Sequence, residues 1–423
     1  MNREILAKLL NNTSYMEDEI VWFIGTYYSA VFQLNLNTME CKLFAEFTSA
    51  PQMINYKYFN CCTKYGNHIF AFPCRSSENI KIIDIRNGSI RSLEISNDAK
   101  RVVGIMGVYI DGERMYAVAL GLNEILEIDA EKFVVLNSYP FEEKKCNIQG
   151  NCYFHEKNIY IFWENSNLVL EFNLKSKHIR KYRISGVEGG IYTFGSINSM
   201  FCLASVKKEL YLWDKDRNEI SNTIILPQGF GYYIKENDER YHLNTKYDMG
   251  VTFSCADTGD KLWLIPHEGN YIVHISSQLP YLLDLFINDE EDQIRQTDYV
   301  FHNKKNAIKY SMLYTRKNRY IGVYSFLTNT IYEIDTKTSE IKKFFACLDG
   351  KSERIIKNRT YIFEYRGKIE KDKRDLELMM SEGIELYYAK LKELETYDIQ
   401  AGKEYAIGSE IARRMKENME GRH

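Results

Sequence analysis

Short apolar and aromatic runs, four or five residues long and separated by polar turns, recur along most of this chain. One set reads Val21-Trp-Phe-Ile24, Ile69-Phe-Ala-Phe72, Met115-Tyr-Ala-Val118, Ile159-Tyr-Ile-Phe162, Met200-Phe-Cys-Leu203, Leu262-Trp-Leu-Ile265 and Tyr320-Ile-Gly-Val-Tyr324. A second set follows it: Val31–Asn35, Ile80–Asp84, Ile125–Asp129, Val169–Asn173, Leu210–Asp214, Tyr271–Ile275 and Ile331–Asp335. The runs are too short for helices, are rich in β-branched and aromatic residues, and are bounded by Gly, Asn and Asp, so they predict strands. Six of the seven second-set strands end in Asp or Asn. A short side chain there can accept a backbone N–H two residues on and close a tight turn into an outer strand. A further strand precedes most copies, as at Tyr58–Cys62, Val108–Ile110, Asn151–Phe154, Val251–Ser254 and Tyr310–Tyr314.

The first five copies advance by about 41 to 48 residues, the length of a four-stranded unit. This unit resembles a β-propeller blade, and Leu212-Trp-Asp214 and Ile82-Ile-Asp84 are similar to the strand-to-turn signature of WD40 repeats. The Gly-His pair that opens a WD40 repeat is missing, and the Gly-Gly of kelch repeats occurs once, at Gly189-Gly190, so the likeness is to the generic WD40/kelch-like propeller. It implies an all-β, seven-bladed β-propeller over 19–365, preceded by a partly helical segment at 1–18 and followed by a C-terminal α-helical extension at 366–423. Arg359–Tyr365 alternates like a strand without a blade of its own. It is expected to supply the innermost strand of the first blade and close the ring, with Asn11–Tyr15 as the rival for that slot.

Composition changes the picture in three ways. The chain of 423 residues carries 32 Tyr, 22 Phe and 4 Trp, far too much ring area for a disordered protein. Its net charge of −3 supplies no basic field for nucleic acid. Nine scattered cysteines without a CxxC pair read as free thiols of a reducing compartment. With no signal-like apolar stretch and no run near membrane-spanning length, a cytoplasmic protein away from membranes is expected. After Lys351 valine disappears and charge crowds in. Met380, Ile384, Tyr387, Leu391 and Leu394 then form a helical stripe, a candidate surface for packing on the ring or for self-association.

No nucleophile elbow, phosphate loop or metal-ligand spacing occurs, so neither cofactor nor metal is expected. In a propeller, the loops joining second to third strands emerge on the same face as the blade-to-blade connections. That geometry nominates Tyr27, Tyr28, Arg75, Trp163, Glu164, His267 and Glu268, with Tyr232, Tyr233 and His242 from an insertion at 228–248. A second insertion spans 288–306 and opens with Asp289-Glu-Glu-Asp292. Interleaved rings and charges suit a peptide or protein partner, since a ring supplies contact area at low entropy cost and a charge sets orientation. The expected function is a non-catalytic binding or scaffolding module. The alternative is a glycosidase-like or other small-molecule enzyme using Glu124, Glu164, Glu268 and His267 around the central channel.

Overall fold

The computed structural model describes residues 14–353 apart from 26–29, 48–58, 74–77, 96–103, 121, 142–149, 164–165, 188–190, 192, 198–199, 205–208, 226–252, 258–260, 267–270, 277–282, 287–309 and 326–329. Six sheets are four-stranded antiparallel meanders. They comprise β5–β8 (Phe59–Tyr65, His68–Pro73, Ile80–Asp84, Ile90–Leu93), β9–β12 (Ile105–Asp111, Arg114–Ala119, Glu124–Asp129, Val134–Pro140) and β13–β16 (Gly150–His155, Asn158–Trp163, Leu168–Asn173, Ile179–Arg183). The others are β17–β20 (Thr193–Ile197, Met200–Ala204, Glu209–Asp214, Glu219–Ile225), β21–β24 (Phe253–Asp257, Lys261–Pro266, Tyr271–Ser276, Leu283–Phe286) and β25–β28 (Tyr310–Arg316, Tyr320–Ser325, Thr330–Asp335, Ile341–Phe344). The remaining sheet is five-stranded: β1 (Ser14–Glu17), β2 (Ile20–Ile24), β3 (Ala30–Asn35), β4 (Glu40–Glu46) and β29 (Cys347–Leu348).

The expectation of a seven-bladed propeller is thus corrected: six sheets are four-stranded blades, and the sheet built by the first copy is five-stranded with a parallel outer strand. First strands pack on first strands, β1 on β5, β5 on β9, β9 on β13, β13 on β17, β17 on β21, β21 on β25 and β25 back on β1, which closes a ring.

Strand alternation explains the packing. Along β10, Met115, Ala117 and Ala119 enter one inter-sheet core with Phe70 and Ile82. The intervening Tyr116 and Val118 enter the next, with Ile159 and Ile161. Both faces of a central strand are therefore buried, whereas outer strands such as β12 and β16 are largely exposed. The aromatic excess sits mainly here. Trp213, Trp263, Tyr160, Tyr324, Tyr332, Phe23 and Phe32 are among the largest fully buried side chains, each contributing roughly 1.5–3 kcal/mol of apolar burial.

The turns follow the Asp/Asn logic. Asp84 accepts the N–H of Arg86 at 2.9 Å, Asp129 that of Lys132 at 2.9 Å, Asn173 that of Ser176 at 2.8 Å, Asp214 that of Asp216 at 3.0 Å, Asp335 that of Lys337 at 3.0 Å and Asn35 that of Asn37 at 2.9 Å. Four residues after each Asp or Asn the backbone enters the left-handed region, at Met39, Gly88, Phe133, Lys177, Asn218 and Ser339.

Ring closure departs from the first expectation, Arg359–Tyr365, and overlaps its rival, Asn11–Tyr15, at Ser14 and Tyr15. The innermost place in the first sheet is filled by β1, which pairs antiparallel with β2, and residues 355–365 lie outside the described residues. The β1–β2 hairpin turns on Asp18 and Glu19, both at positive φ (48° and 62°). A two-residue hairpin needs little loop-closure entropy, but Asp-Glu lacks the Asn-Gly or Asp-Gly signature of such turns and escapes sequence inspection. The chain beyond the last blade contributes on the outside instead. Strand β29 adds parallel to β4, with Cys347 donating to the Met39 carbonyl and Asp349 to that of Cys41, both at 2.9 Å. Ala346 and Leu348 are buried beside Leu34, Leu36 and Cys41. Ser352 accepts the Leu43 N–H at 2.7 Å from a helical turn at 350–353. That turn is the helical content among the described residues; the expected helical extension at 366–423 lies outside them.

Deleting residues 1–17 removes β1 and uncovers the inner edge of β2. The deletion is expected to replace a single cooperative transition with an earlier, broader one in scanning calorimetry. An unchanged melting profile would show that β1 does not close the ring.

Candidate functional site: the two faces of the ring

Of the residues nominated for a binding face, Trp163 lies among the described residues. Tyr27, Tyr28, Arg75, Glu164, Tyr232, Tyr233, His242, His267 and Glu268 fall outside them. Trp163 is not a rim residue: it is 2 % exposed and lies between sheets with Ile159 and Ile161, its ring edge-on to Phe141 with centroids 6.1 Å apart. The reason is periodic. Trp163 ends β14, and the alternation that sends 159 and 161 into that core sends 163 there too. Its indole N–H finds no acceptor among the described residues, while its carbonyl accepts the Ile191 N–H at 2.9 Å. Glu124, from the enzyme alternative, opens β11 and is half-buried, while Glu164, Glu268 and His267 lie outside the described residues.

The opposite face, where the Asp/Asn turns lie, carries a repeated polar construction. The middle residue of the third strand is Glu in Ile125-Leu-Glu-Ile-Asp129, Val169-Leu-Glu-Phe-Asn173 and Ile331-Tyr-Glu-Ile-Asp335. Glu127 accepts from Tyr139 at 2.6 Å, Asn137 at 2.9 Å and Tyr116 at 3.0 Å, and pairs with Lys177 of the neighbouring sheet at 3.4 Å. Glu171 repeats this, accepting from Tyr182 at 2.7 Å and Tyr160 at 2.8 Å and pairing with Lys215 of the next sheet at 2.8 Å.

At the seam where the ring closes, Glu333 accepts from Tyr314 at 2.9 Å and pairs with Arg316 at 2.7 Å. Arg316 also reaches Glu19 in the β1–β2 turn at 2.5 Å. Burial acts to raise the Glu127 and Glu171 carboxyls, but their tyrosine and lysine partners outweigh it and hold both below the ordinary carboxylate value. Burial, reinforced by the adjoining carboxylate, pushes the Tyr116 and Tyr182 hydroxyls up to about 12. Such groups stay protonated at neutral pH and act as fixed donors. These glutamates are joints between sheets, and their place in a repeated string was visible in the sequence.

The inner wall holds a serine, a histidine and a carboxylate that sequence inspection missed, because β13 and β17 bring them together across two sheets. Ser196 Oγ shares hydrogen bonds with Tyr153 Oη at 2.8 Å and His155 Nδ1 at 3.0 Å, and His155 Nε2 is 3.9 Å from Glu156. The membership suggests a nucleophile and its base, but Ser196 is 1 % exposed, so no substrate carbonyl reaches its oxygen. The group stitches neighbouring first strands. Among the described residues no cluster of His, Cys, Asp and Glu could hold a metal ion, and no helix is long and apolar enough to cross a membrane.

A closed ring of radially stacked, four-stranded meanders defines a β-propeller. No family model matches the sequence, and no curated protein matches it. Among solved structures the chain is similar to dihydro-heme d1 dehydrogenase NirN in complex with DHE, at 10% identity over 80% of this chain and 67% of that one, with TM-score 0.50. It is also similar to the computationally designed protein Ika8, at 9% identity over 80% and 87% with TM-score 0.49, and to a chain of the mitotic checkpoint complex, at 10% identity over 79% and 86% with TM-score 0.46. At such identities the likeness concerns fold alone.

Proposed function

We propose that this β-propeller is a non-catalytic binding or scaffolding module of the cytoplasm, which holds a peptide or protein partner on the face opposite the Asp/Asn turns. The observation that carries this reading is an asymmetry between the faces. On one face the turns are tight, closed by their own Asp or Asn side chains and cross-linked between sheets by glutamate. On the other, the connections from β20 to β21 (226–252) and from β24 to β25 (287–309) are far longer than that from β16 to β17 (184–192). Long connections on a rigid scaffold are where recognition residues concentrate.

Tyr232, Tyr233 and His242 belong to the first of these connections, while Tyr27, Tyr28, Arg75, Glu164, His267 and Glu268 belong to second-to-third strand loops that open toward the same side. Trp163, buried between sheets, is not part of that face. Replacing Arg75, Tyr232, His242 and His267 together with alanine should weaken capture of a partner co-isolated with the native protein by about tenfold or more. The melting temperature should barely move. Undiminished capture by the quadruple variant would reject this face.

A further inference from the structure

The outer edge of β16 carries more positive charge than any other described outer strand, with three cations against two in β28. The stretch Lys175-Ser-Lys-His-Ile-Arg-Lys-Tyr-Arg183 holds Lys175, Lys177, Arg180, Lys181 and Arg183 without one acid, on a protein whose net charge is −3. Lys175, His178, Arg180, Lys181 and Arg183 are exposed. Lysines on an edge strand commonly serve to discourage strand pairing. That role does not require a cluster of this size: β28 carries Lys342 and Lys343, and β12, equally an edge, carries no charge at all and exposes Val134 and Leu136.

The molecule itself shows what an outer edge can take. In the first sheet, β29 adds parallel to β4 by donating N–H groups to the Met39 and Cys41 carbonyls. Counting from the Asn that closes each turn, Asn35 and Asn173, the equivalents of Met39 and Cys41 are Lys177 and Ile179. Met39 and Lys177 share the same left-handed backbone, at φ 56° and 57°. Asn173 donates to the His178 carbonyl at 3.0 Å and Ile184 to that of Asn167 at 2.9 Å, so the even positions of β16 face β15 and the odd ones face outward. Asn218 Nδ2 caps the far end through the Arg183 carbonyl at 3.3 Å. The two edges therefore offer the same backbone geometry.

Side chains set the difference in chemistry. Arg180 lies on the side of β16 that Tyr182 shares, toward β17–β20, whereas Lys181 and Arg183 share the side of Ile179, toward β9–β12. Successive residues of an added strand point alternately to these two sides, and each side presents a cation. A run of consecutive acids matches this where an alternating sequence would not.

We propose that the outer edge of β16 is a docking site for an acidic peptide in extended conformation, which adds as a fifth, parallel strand in the way that β29 adds to β4. A row of backbone groups at strand spacing is satisfied by another peptide backbone and not by a sugar-phosphate chain or a lipid surface. This surface is on the outer wall, distinct from the face of the long connections.

The test is fluorescence anisotropy of a short labelled peptide with a central run of Asp and Glu, titrated with the full-length protein. Binding should weaken about tenfold in the Arg180→Glu/Arg183→Glu variant, less in Arg180→Gln/Arg183→Gln, and fall steeply with added salt. The same peptide with Asn and Gln in place of its acids should not bind. Hydrogen exchange should slow at 177–181 on binding, with the melting temperatures of both variants close to that of the native protein. Equal binding of the neutral peptide, undiminished binding by the charge-reversal variant, or protection confined to other strands would overturn the proposal. So would a response of anionic vesicles or single-stranded RNA to the charge reversal with no binding of the peptide.

Discussion

Replacing Gly322 with alanine is expected to destabilise the ring by about 3 kcal/mol, the upper range for overpacking a core. Gly322 sits in β26 opposite Tyr314, where the pairing of β25 with β26 shifts register, and a Cβ at 322 would overlap the Tyr314 ring itself. The ring cannot step aside cheaply. Tyr314 is buried in the core shared by the last blade and the first sheet, and its hydroxyl is tied to Glu333, which Arg316 links to Glu19 across the seam. One methyl group therefore loads the joint that closes the ring. Urea denaturation of Gly322→Ala and of the double variant Gly322→Ala/Tyr314→Leu would measure the coupling: the second change should recover part of the loss. A Gly322→Ala variant within about 0.5 kcal/mol of native, the range of an ordinary surface substitution, would mean that the close approach is not what holds glycine there.

The second large effect is at Glu171. Its replacement by alanine leaves the Tyr160 and Tyr182 hydroxyls and the Lys215 ammonium without their shared acceptor between the β13–β16 and β17–β20 sheets. Removing one partner of a buried, charged network costs about 3 kcal/mol or more, because the remaining polar groups stay buried and unmatched. Glutamine in the same place keeps an acceptor but not the charge, and is expected to lose less.

The pH dependence distinguishes the charge from the shape. The folded carboxyl lies below its ordinary value of 4.5, so the stability that it contributes is complete above that value and disappears as pH falls through the lower, folded one. Native protein should therefore melt progressively earlier as pH is lowered from about 5 toward 3, and Glu171→Gln should show a shallower decline over that window. Parallel slopes for the two proteins would show that Glu171 is not ionised in the fold.

Tyr232, Tyr233 and His242 are nominated because a long connection interrupts a regular repeat, which is a property of spacing, and they lie outside the described residues. Trp163 misled, because a tryptophan at the end of a strand followed by Glu164-Asn-Ser resembles the start of a loop. Only the register with Leu168–Asn173 and the packing of Phe141 show which way the ring turns. The Ser196–His155 pair joins residues from adjacent blades, and no one-dimensional pattern encodes that meeting.

By itself the sequence determined the blade unit. Two-residue periodicity, strand-length aromatic runs and an Asp or Asn at the end of the third strand act within a few residues of one another, and each appears in the structure as read. Only tertiary structure decided how the ring shuts, with Ser14–Glu17 inside and Cys347–Leu348 outside the first sheet, and with Arg316 pinning Glu19 to Glu333 between them. Closure joins residues some three hundred positions apart and turns on a hairpin at Asp18-Glu19 that carries no sequence signature. Its free energy lies in burial and charge pairing between sheets, which are set by where the last blade meets the first.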